Sequence, residues 1–200
     1  MKKNEILEKS LELFATQGYF GTSMDDIAKA VSIKKASLYS HFPGKESIFA
    51  AVFDAVLADY SVFIDKTTAY EDDTHSHEIL RKIFFTYIKN CINNNKMTFW
   101  DRYYYYPPEY LKDYILEKTY EVEMAFMDKI TAIIREGIDK HEIVDKNASD
   151  IALTFYNIMI GFAMGIRFYD NKDIDTELSR CLNVFLDGIM PGARPGIVPG

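Results

Sequence analysis

Apolar residues recur at the spacing of an α-helix along the whole chain, and no stretch keeps the strict alternation of a β-strand. The first segment shows the pattern, because one helical face carries Ile6, Leu7, Leu11, Phe14 and Ala15. A helix with one apolar stripe has to bury it against another element. The chain is therefore predicted to be all-α, with about nine helices.

Helix-breaking residues set the predicted boundaries. Gly18 is expected to end the first helix, and Pro107-Pro108 to separate two later ones. The remaining predicted helices cover roughly residues 24–31, 35–41, 45–64, 79–92, 99–106, 109–140, 148–168 and 173–189. Residues 66–76 are polar and acidic and are predicted to form a loop. The last eleven residues hold three Pro and three Gly, a composition typical of a flexible tail.

Charge is distributed unevenly along the chain. The formal net charge is -7, yet residues 1–47 hold seven lysines and six acidic residues, whereas the other 153 hold 16 basic and 24 acidic ones. From Val31 to Lys45 there are three lysines and one histidine and no acid. Because an acidic chain repels nucleic acid, any nucleic-acid surface on this protein has to be local.

This basic window coincides with a predicted helix-turn-helix, in which about four residues separate two short helices. The second helix of such a pair lies in the major groove of DNA, with its N-terminal residues nearest the bases. The candidate DNA-binding residues from this reasoning are Lys34, Lys35, Ala36, Ser37, Tyr39, His41 and Lys45. Lysines offer charge to phosphate or guanine, and small residues permit close approach. The alternative is that the lysines are only a solvated face.

Residues 21–49, GTSMDDIAKAVSIKKASLYSHFPGKESIF, resemble the DNA-binding domain of the TetR family of transcriptional repressors. The preceding ILEKSLELFATQGYFGTS resembles the first helix of that domain and the entry to the second. The resemblance implies an all-helical homodimer that binds a near-palindromic operator of double-stranded DNA. It also implies that the C-terminal helices form the dimer interface and a pocket for a small-molecule effector, and it adds Ser23 to the DNA-facing positions.

Three positions depart from the family pattern. The family often has Gly, Ser and Gly where this chain has Ser32, Lys34 and Ala36. Lys34 removes the usual serine cap of the recognition helix and adds a charge at the groove. The operator sequence of a relative therefore does not transfer to this chain.

The predicted helix at 148–168 is apolar almost all round, which is typical of a helix that is buried on several sides. A membrane span is disfavoured, because the apolar stretch of 16 residues falls short of the ~20 required. With the last helix it can form a four-helix interface with a second copy. The candidate dimer residues are Gly161, Gly165, Leu178, Leu182 and Phe185. A monomer with the same helices as its core is the alternative. The predicted domains are residues 1–47 for DNA, 48–190 for ligand and dimer, and a tail at 191–200.

Four consecutive tyrosines lie in MTFWDRYYYYPPEY, residues 97–110. They span about 300° of a helix, so they cannot all face one site. An apolar ring with a hydroxyl suits a small-molecule pocket. The candidate ligand-binding residues are Trp100, Tyr103, Tyr104, Tyr110, Phe126, Tyr156, Met159 and Met164. Plain core packing is the alternative for each. Arg102 or Arg167 would balance an acidic ligand and Asp101 or Glu123 a cationic one, and the sequence leaves this open.

Catalysis has no candidate residues, because the sequence has no glycine-rich phosphate loop, no nucleophile elbow and no Cys/His cluster. No enzyme activity, metal or cofactor is predicted, and His75 and His77 among acids are expected to be solvated. Two distant cysteines and the absence of a signal peptide favour a cytoplasmic protein. The predicted function is a ligand-responsive repressor. The alternatives are a helical sensor or carrier that acts through a protein partner, and a DNA-binding activator.

Overall fold

The computed structural model describes residues 2–92, 94–165 and 173–192. Within these ranges the chain forms nine α-helices, one short 3-10 helix and no strand, which confirms the all-α prediction. The helices are α1 Lys2–Gly21, α2 Met24–Ala30, α3 Lys35–Tyr39, α4 Lys45–Thr68, α5 Ser76–Cys91, α6 Asn95–Tyr105, α7 Lys112–Asp139, α8 Ala148–Gly165 and α9 Ile174–Ile189, with the 3-10 helix at Glu109–Leu111.

Several boundaries differ from the predicted ones for local reasons. Gly18 does not end α1 but kinks it, with φ 79° and ψ 169°, and helical turns continue to Gly21. Helix α6 begins four residues earlier than predicted, because the Asn94 side chain accepts a hydrogen bond from the Lys96 backbone N–H and caps it. The predicted end of α8 at Phe168, together with Arg167, lies outside the described residues, as do residues 193–200 of the tail.

The chain divides into two compact units. Unit 1 comprises Met1–Phe63 and Asn93–Thr119, and unit 2 comprises Ile64–Ile92 and Tyr120–Gly200. Unit 1 therefore holds α1 to α3 together with α6 and the first part of α4. Residue 47, the predicted domain boundary, falls inside this unit, because aromatic packing joins α1 to α4.

The core of unit 1 is a cluster of aromatic rings around Phe49 of α4. The Phe49 ring centroid lies 4.8 Å from that of Tyr103, 5.5 Å from that of Phe99 and 5.5 Å from that of Phe14. All four side chains are fully or almost fully buried. Because these rings come from α1, α4 and α6, their burial fixes the three helices to one another, and each ring contributes about 1.5–3 kcal/mol on burial.

The core of unit 2 forms where α5 packs against α8 and α9. Phe84 of α5 lies 6.3 Å from Phe155 of α8 between ring centroids, and Phe155 lies 5.7 Å from Phe185 of α9. The inward face of α9 buries Leu178, Leu182, Leu186 and Ile189. This spacing of three to four residues is the period of an amphipathic helix, and it leaves the opposite face of α9 exposed.

One helix in the described part of the chain, α4, is long and apolar enough to cross a membrane by length and composition alone. Phe49 and Phe53 on it are fully buried inside unit 1 against rings of α6. Such packing is typical of a core helix, which meets the same length and composition criteria.

A hydrogen-bonded clamp in unit 2 joins the start of α5 to the loop after α7. The Glu142 carboxylate lies 2.6 Å from His75 Nδ1 and accepts a hydrogen bond of 2.8 Å from the Ser76 backbone N–H. Burial raises the pKa of Glu142, but the hydrogen bonds from His75 and Ser76 outweigh it and lower the pKa to about 2. The hydrogen bond to Glu142 in turn raises the pKa of His75.

This clamp predicts a pH-dependent contribution to stability. A carboxylate with a depressed pKa stabilises the folded state above its unfolded pKa of about 4.3, and that contribution is lost as the pH falls toward 2. We expect Glu142→Gln to lower the free energy of unfolding by on the order of 2 kcal/mol at pH 6 and by much less at pH 2.5. Urea unfolding at the two pH values measures this. The exposed Glu121→Gln serves as the control, and an equal loss for Glu142→Gln at both pH values would contradict the assignment.

Candidate nucleic-acid interface

A reciprocal capping box fixes the start of α2. The Ser23 hydroxyl accepts a hydrogen bond of 3.1 Å from the Asp26 backbone N–H, and the Asp26 carboxylate accepts one of 2.9 Å from the Ser23 backbone N–H. These hydrogen bonds lower the pKa of Asp26. The cap satisfies two backbone donors and is worth about 1 kcal/mol. It follows that Ser23, a predicted DNA-facing residue, also holds α2 in place.

The turn between α2 and α3 is tight and hydrogen-bonded. Ser32 has a left-handed backbone with φ 54°, and its N–H donates to the Lys29 carbonyl at 3.1 Å. The Ile33 N–H donates to the Ala28 carbonyl at 3.0 Å. A left-handed conformation costs a serine about 1 kcal/mol relative to glycine. Glycine adopts this backbone conformation without that cost, which accounts for the glycine that the TetR family often has at this position.

Helix α3 is a single short helix with one buried side. Lys34 stands at its N-cap position and makes no side-chain cap, so the first turn is held by backbone hydrogen bonds to the Lys34 carbonyl. Leu38 is fully buried and Phe42 nearly so. The predicted DNA-facing residues in and beside α3 are all exposed, namely Lys34, Lys35, Ala36, Ser37, Tyr39 and His41. The structure thus exposes all six residues on α3 and beside it, and we call this set the α3 surface.

An acid that the sequence window did not contain reaches the α3 surface. The Lys35 ammonium lies 3.0 Å from a carboxylate oxygen of Asp25 in α2. This hydrogen bond raises the pKa of Lys35. Both side chains of the pair are exposed, so the ion pair adds little to the free energy of unfolding. Its consequence is electrostatic, because it offsets one of the positive charges on the α3 surface.

Lys45 differs from the other candidate residues because its ammonium group binds backbone carbonyls of the protein itself. Its ammonium donates hydrogen bonds to the backbone carbonyls of Tyr19 at 2.7 Å and Thr22 at 2.8 Å. It also lies 4.1 Å from the centroid of the Tyr19 ring. Burial lowers the pKa of Lys45. As predicted, Lys45 opens α4, and its side chain ties that helix to the segment that precedes α2.

The predicted ligand-binding residues are divided between the two units. Unit 1 holds Trp100 and Tyr103, which are buried, Tyr104, which stacks on Trp100, and Tyr110, which is exposed. The Tyr103 hydroxyl donates to the Phe14 carbonyl at 3.1 Å, and burial raises the pKa of Tyr103 to about 12. Within unit 1, Trp100 and Tyr103 therefore belong to the core that holds α6.

The other four predicted ligand-binding residues lie in unit 2. Phe126 and Met159 are fully buried, and Met164 is exposed. The Phe126 and Tyr156 rings meet edge to face at 5.9 Å, and the Tyr156 hydroxyl donates to the buried Glu123 carboxylate at 2.6 Å. This arrangement places a carboxylate next to aromatic rings inside unit 2.

The predicted dimer residues differ in their exposure. Gly161 is exposed, whereas Gly165 and Phe185 are half-buried. Leu178 and Leu182 are 1% and 0% exposed, so they lie in the core of unit 2 and do not reach its surface. The exposed apolar side chains of α8 and α9 are instead Leu153, Met164 and Val184. The sequence pattern could have revealed Val184, because it lies on the helical face opposite to Leu178 and Leu182.

The N-terminal helices are similar in sequence to known bacterial regulators. The family model described as bacterial regulatory proteins, tetR family, matches residues 6–52, which cover α1 to α3 and the start of α4. The biofilm operon icaADBC HTH-type negative transcriptional regulator IcaR of Staphylococcus epidermidis is 40% identical over 86 residues. That match covers 43% of this chain and 45% of the relative, so the chain spans less than half the length of the curated relative it matches.

Solved structures extend the likeness in fold to nearly the whole chain. A transcriptional regulator of the TetR/AcrR family from Thermobifida fusca YX-ER1 aligns with a TM-score of 0.68 at 18% identity, over 93% of this chain and 97% of that one. AibR, in complex with isovaleryl coenzyme A and operator DNA, aligns with a TM-score of 0.66 at 19% identity, over 96% and 99%. At these identities the likeness concerns the fold alone.

The capping box, the tight turn and the exposed α3 surface define a helix-turn-helix protein. Taken with the match over residues 6–52, they show that the N-terminal helices of this chain are similar to those of bacterial regulatory proteins of the tetR family.

Lys45 and Lys34 are predicted to respond differently to loss of charge. Lys45→Met removes two hydrogen bonds from a partly buried ammonium, and we expect the free energy of unfolding to fall by about 1–2 kcal/mol. Lys34→Met changes an exposed side chain of the same length, and we expect a change within about 0.5 kcal/mol. Urea unfolding followed by circular dichroism compares them. Equal stability of the two variants would show that the Lys45 hydrogen bonds contribute nothing.

Proposed function

We propose that this protein is a ligand-responsive transcriptional repressor that binds a palindromic operator as a dimer. A small, largely apolar or aromatic effector would release it from DNA. The observation that carries the proposal is the α3 surface, where Lys34, Lys35, Tyr39 and His41 are exposed on the second helix of a helix-turn-helix and its flanks.

Support for DNA binding comes from the geometry of the α3 surface. Ala36 and Ser37 are small and exposed near the N-terminus of α3, so the helix backbone can approach base edges closely. Lys34 and Lys35 directly precede them at the start of α3 and can contact phosphate or guanine. The Asp25 carboxylate beside Lys35 would have to release that lysine before it contacts an anion. The relative IcaR is named a negative regulator of an operon, which supports repression as the outcome.

Support for a dimer comes from the outer faces of α8 and α9. Val184 is 76% exposed, and Leu153 and Met164 are also exposed on the neighbouring helix. A cavity of about 600 Å³ lies beside these helices between Asp150, Thr154 and Val184. Apolar side chains left in water on two adjacent helices are typical of an interface with a second copy. Two copies related by a two-fold axis would match a palindromic operator.

Support for an effector comes from the aromatic rings and the buried carboxylate of unit 2, and from AibR, whose structure holds isovaleryl coenzyme A together with operator DNA. An effector that binds one conformation better than another shifts the population between them. A tenfold change in operator affinity requires only about 1.4 kcal/mol of differential binding. We expect the protein to act in the cytoplasm, where the operator is.

Operator binding should depend on the lysines of the α3 surface and on salt. We expect Lys34→Ala and Lys35→Ala each to weaken binding to DNA from upstream of the protein's own gene and to reduce the slope of log affinity against log salt by about 1. Fluorescence anisotropy at several salt concentrations, with scrambled DNA as the reference, measures both quantities.

Lys66→Ala is the matched control for this experiment, because it removes the same charge from an exposed position on α4 in unit 2. It should leave affinity and salt slope nearly unchanged. Unaltered binding in both α3-surface variants would refute DNA recognition through α3.

The dimer should depend on the exposed valine of α9. We expect Val184→Asp to convert a particle of twice 23.1 kDa into one of 23.1 kDa in size-exclusion chromatography with light scattering, because the charge would be buried at the interface. Val62→Asp changes a half-exposed valine of α4 and is the control. A wild-type protein that elutes as a monomer at micromolar concentration would contradict the dimer.

A further inference from the structure

A small open cleft lies in unit 1 between the last turns of α1 and the end of α6. Its volume is about 300 Å³, which is at the lower end for a small-molecule site. It is bounded by Gly18, Tyr19 and Phe20 on one side and by Arg102, Tyr106 and Pro107 on the other. Tyr103, a predicted ligand-binding residue, also lines the cleft, and Arg102 is one of the two arginines that the sequence offers to balance an acidic ligand. None of the lining residues belongs to the α3 surface.

Gly18 makes room for the cleft. Its positive φ of 79° kinks α1, and a Cβ atom at this position would lie 2.6 Å from Arg102 Nη1. A side chain at residue 18 would thus be both strained and in contact with the guanidinium. The glycine lets the Arg102 guanidinium lie directly against the backbone of α1.

Arg102 supplies an accessible positive charge in the cleft. It is exposed, and no carboxylate among the described residues lies within 4 Å of its guanidinium. An arginine presents a planar fork of N–H donors that matches the two oxygens of a carboxylate or phosphate. The charge therefore selects for an anion.

Exposed aromatic rings on both sides of the cleft select for a flat, apolar body. Phe20 is 78% exposed and Tyr106 is 74% exposed, although large rings are normally buried. Tyr110 packs on Phe20 with 5.8 Å between ring centroids, and Tyr19 packs on Tyr110 at 5.6 Å, so the Phe20 side of the cleft is supported from behind. Pro107 and Pro108 stiffen the other side, since proline fixes its own backbone.

We propose that this cleft binds a small aromatic anion, with its carboxylate or phosphate group on Arg102 and its ring against Phe20 and Tyr106. The volume suits one ring with a short substituent and is too small for a peptide helix. The inference concerns unit 1 alone and holds whether or not the protein represses transcription.

The test is a titration of the full-length protein with benzoate and with phenyl phosphate, followed by the arginine Nε–Hε signals in a ¹⁵N–¹H NMR spectrum. The Arg102 signal is assigned by its disappearance in Arg102→Gln. We expect both anions to shift it. Isothermal titration calorimetry, which does not depend on that signal, measures the affinity of wild type and variants, and we expect Arg102→Gln to weaken binding by at least about tenfold. Benzamide has the same shape without the charge and should produce no shift at equal concentration.

Further variants separate the contributions of charge, fork and ring. Arg102→Lys keeps the charge but loses the fork, so its affinity should lie between those of wild type and Arg102→Gln. Tyr106→Leu should weaken binding through loss of the ring. Arg135→Gln removes an exposed arginine from α7 in unit 2 and should leave binding unchanged. Circular dichroism melting confirms that each variant is folded.

Three results would overturn the proposal. One is the absence of any shift of the Arg102 signal with either anion. Another is equal affinity in wild type and Arg102→Gln, which would place the anions elsewhere. The third combines two observations: wild type binds neither anion, and Arg102→Gln loses operator binding with a reduced slope of log affinity against log salt. Arg102 would then be a contact to DNA phosphate. Operator binding by the wild type is measured separately, so failure of this proposal is distinguishable from failure of the repressor function.

Discussion

The arrangement of unit 1 depends on the burial of Phe49. Its ring meets Phe14 of α1 and Phe99 and Tyr103 of α6 within 5.5 Å between centroids, so one side chain of α4 joins three helices that are distant in sequence. Helices as short as α2 and α3 are not stable alone, because nucleation of a helix is costly and few residues repay it. They persist because Ile27 and Leu38 are buried in the same unit, whose larger helices the Phe49 cluster fixes.

The α3 surface follows from this packing. Once Leu38 and Phe42 are buried, the remaining residues of α3 have to face solvent, and these are the small and basic residues of the window. The protein then uses its lysines in different ways. Lys45 stabilises the junction of α1, α2 and α4 through two backbone carbonyls, Lys35 is paired with Asp25, and Lys34 is exposed at the start of α3. A run of lysines in a sequence therefore does not correspond to a uniform positive surface.

The two ends of α1 have different partners. The N-terminal part packs through Ile6 and Phe14 into the core, whereas the kink at Gly18 turns Tyr19 and Phe20 toward α6 and the cleft beside Arg102. The Tyr19 carbonyl is accessible to Lys45 because α1 ends at Gly21, and the last carbonyls of a helix have no partner within it. Gly18 shapes the cleft, and its carbonyl also accepts a hydrogen bond of 2.8 Å from the Thr22 hydroxyl, just before α2.

The sequence by itself determined what depends on near neighbours in the chain. The 3.6-residue period, the Ser23 cap and the proline pair predict an all-α fold and the helix-turn-helix, because helix formation and capping involve residues within a few positions of one another. Only the tertiary structure decided which side of α9 is buried, that Asp25 meets Lys35, that the Lys45 charge faces inward and that Arg102 lies over Gly18. These features join residues 10 to 84 positions apart or depend on which helices pack together, and a local pattern carries no information about such contacts.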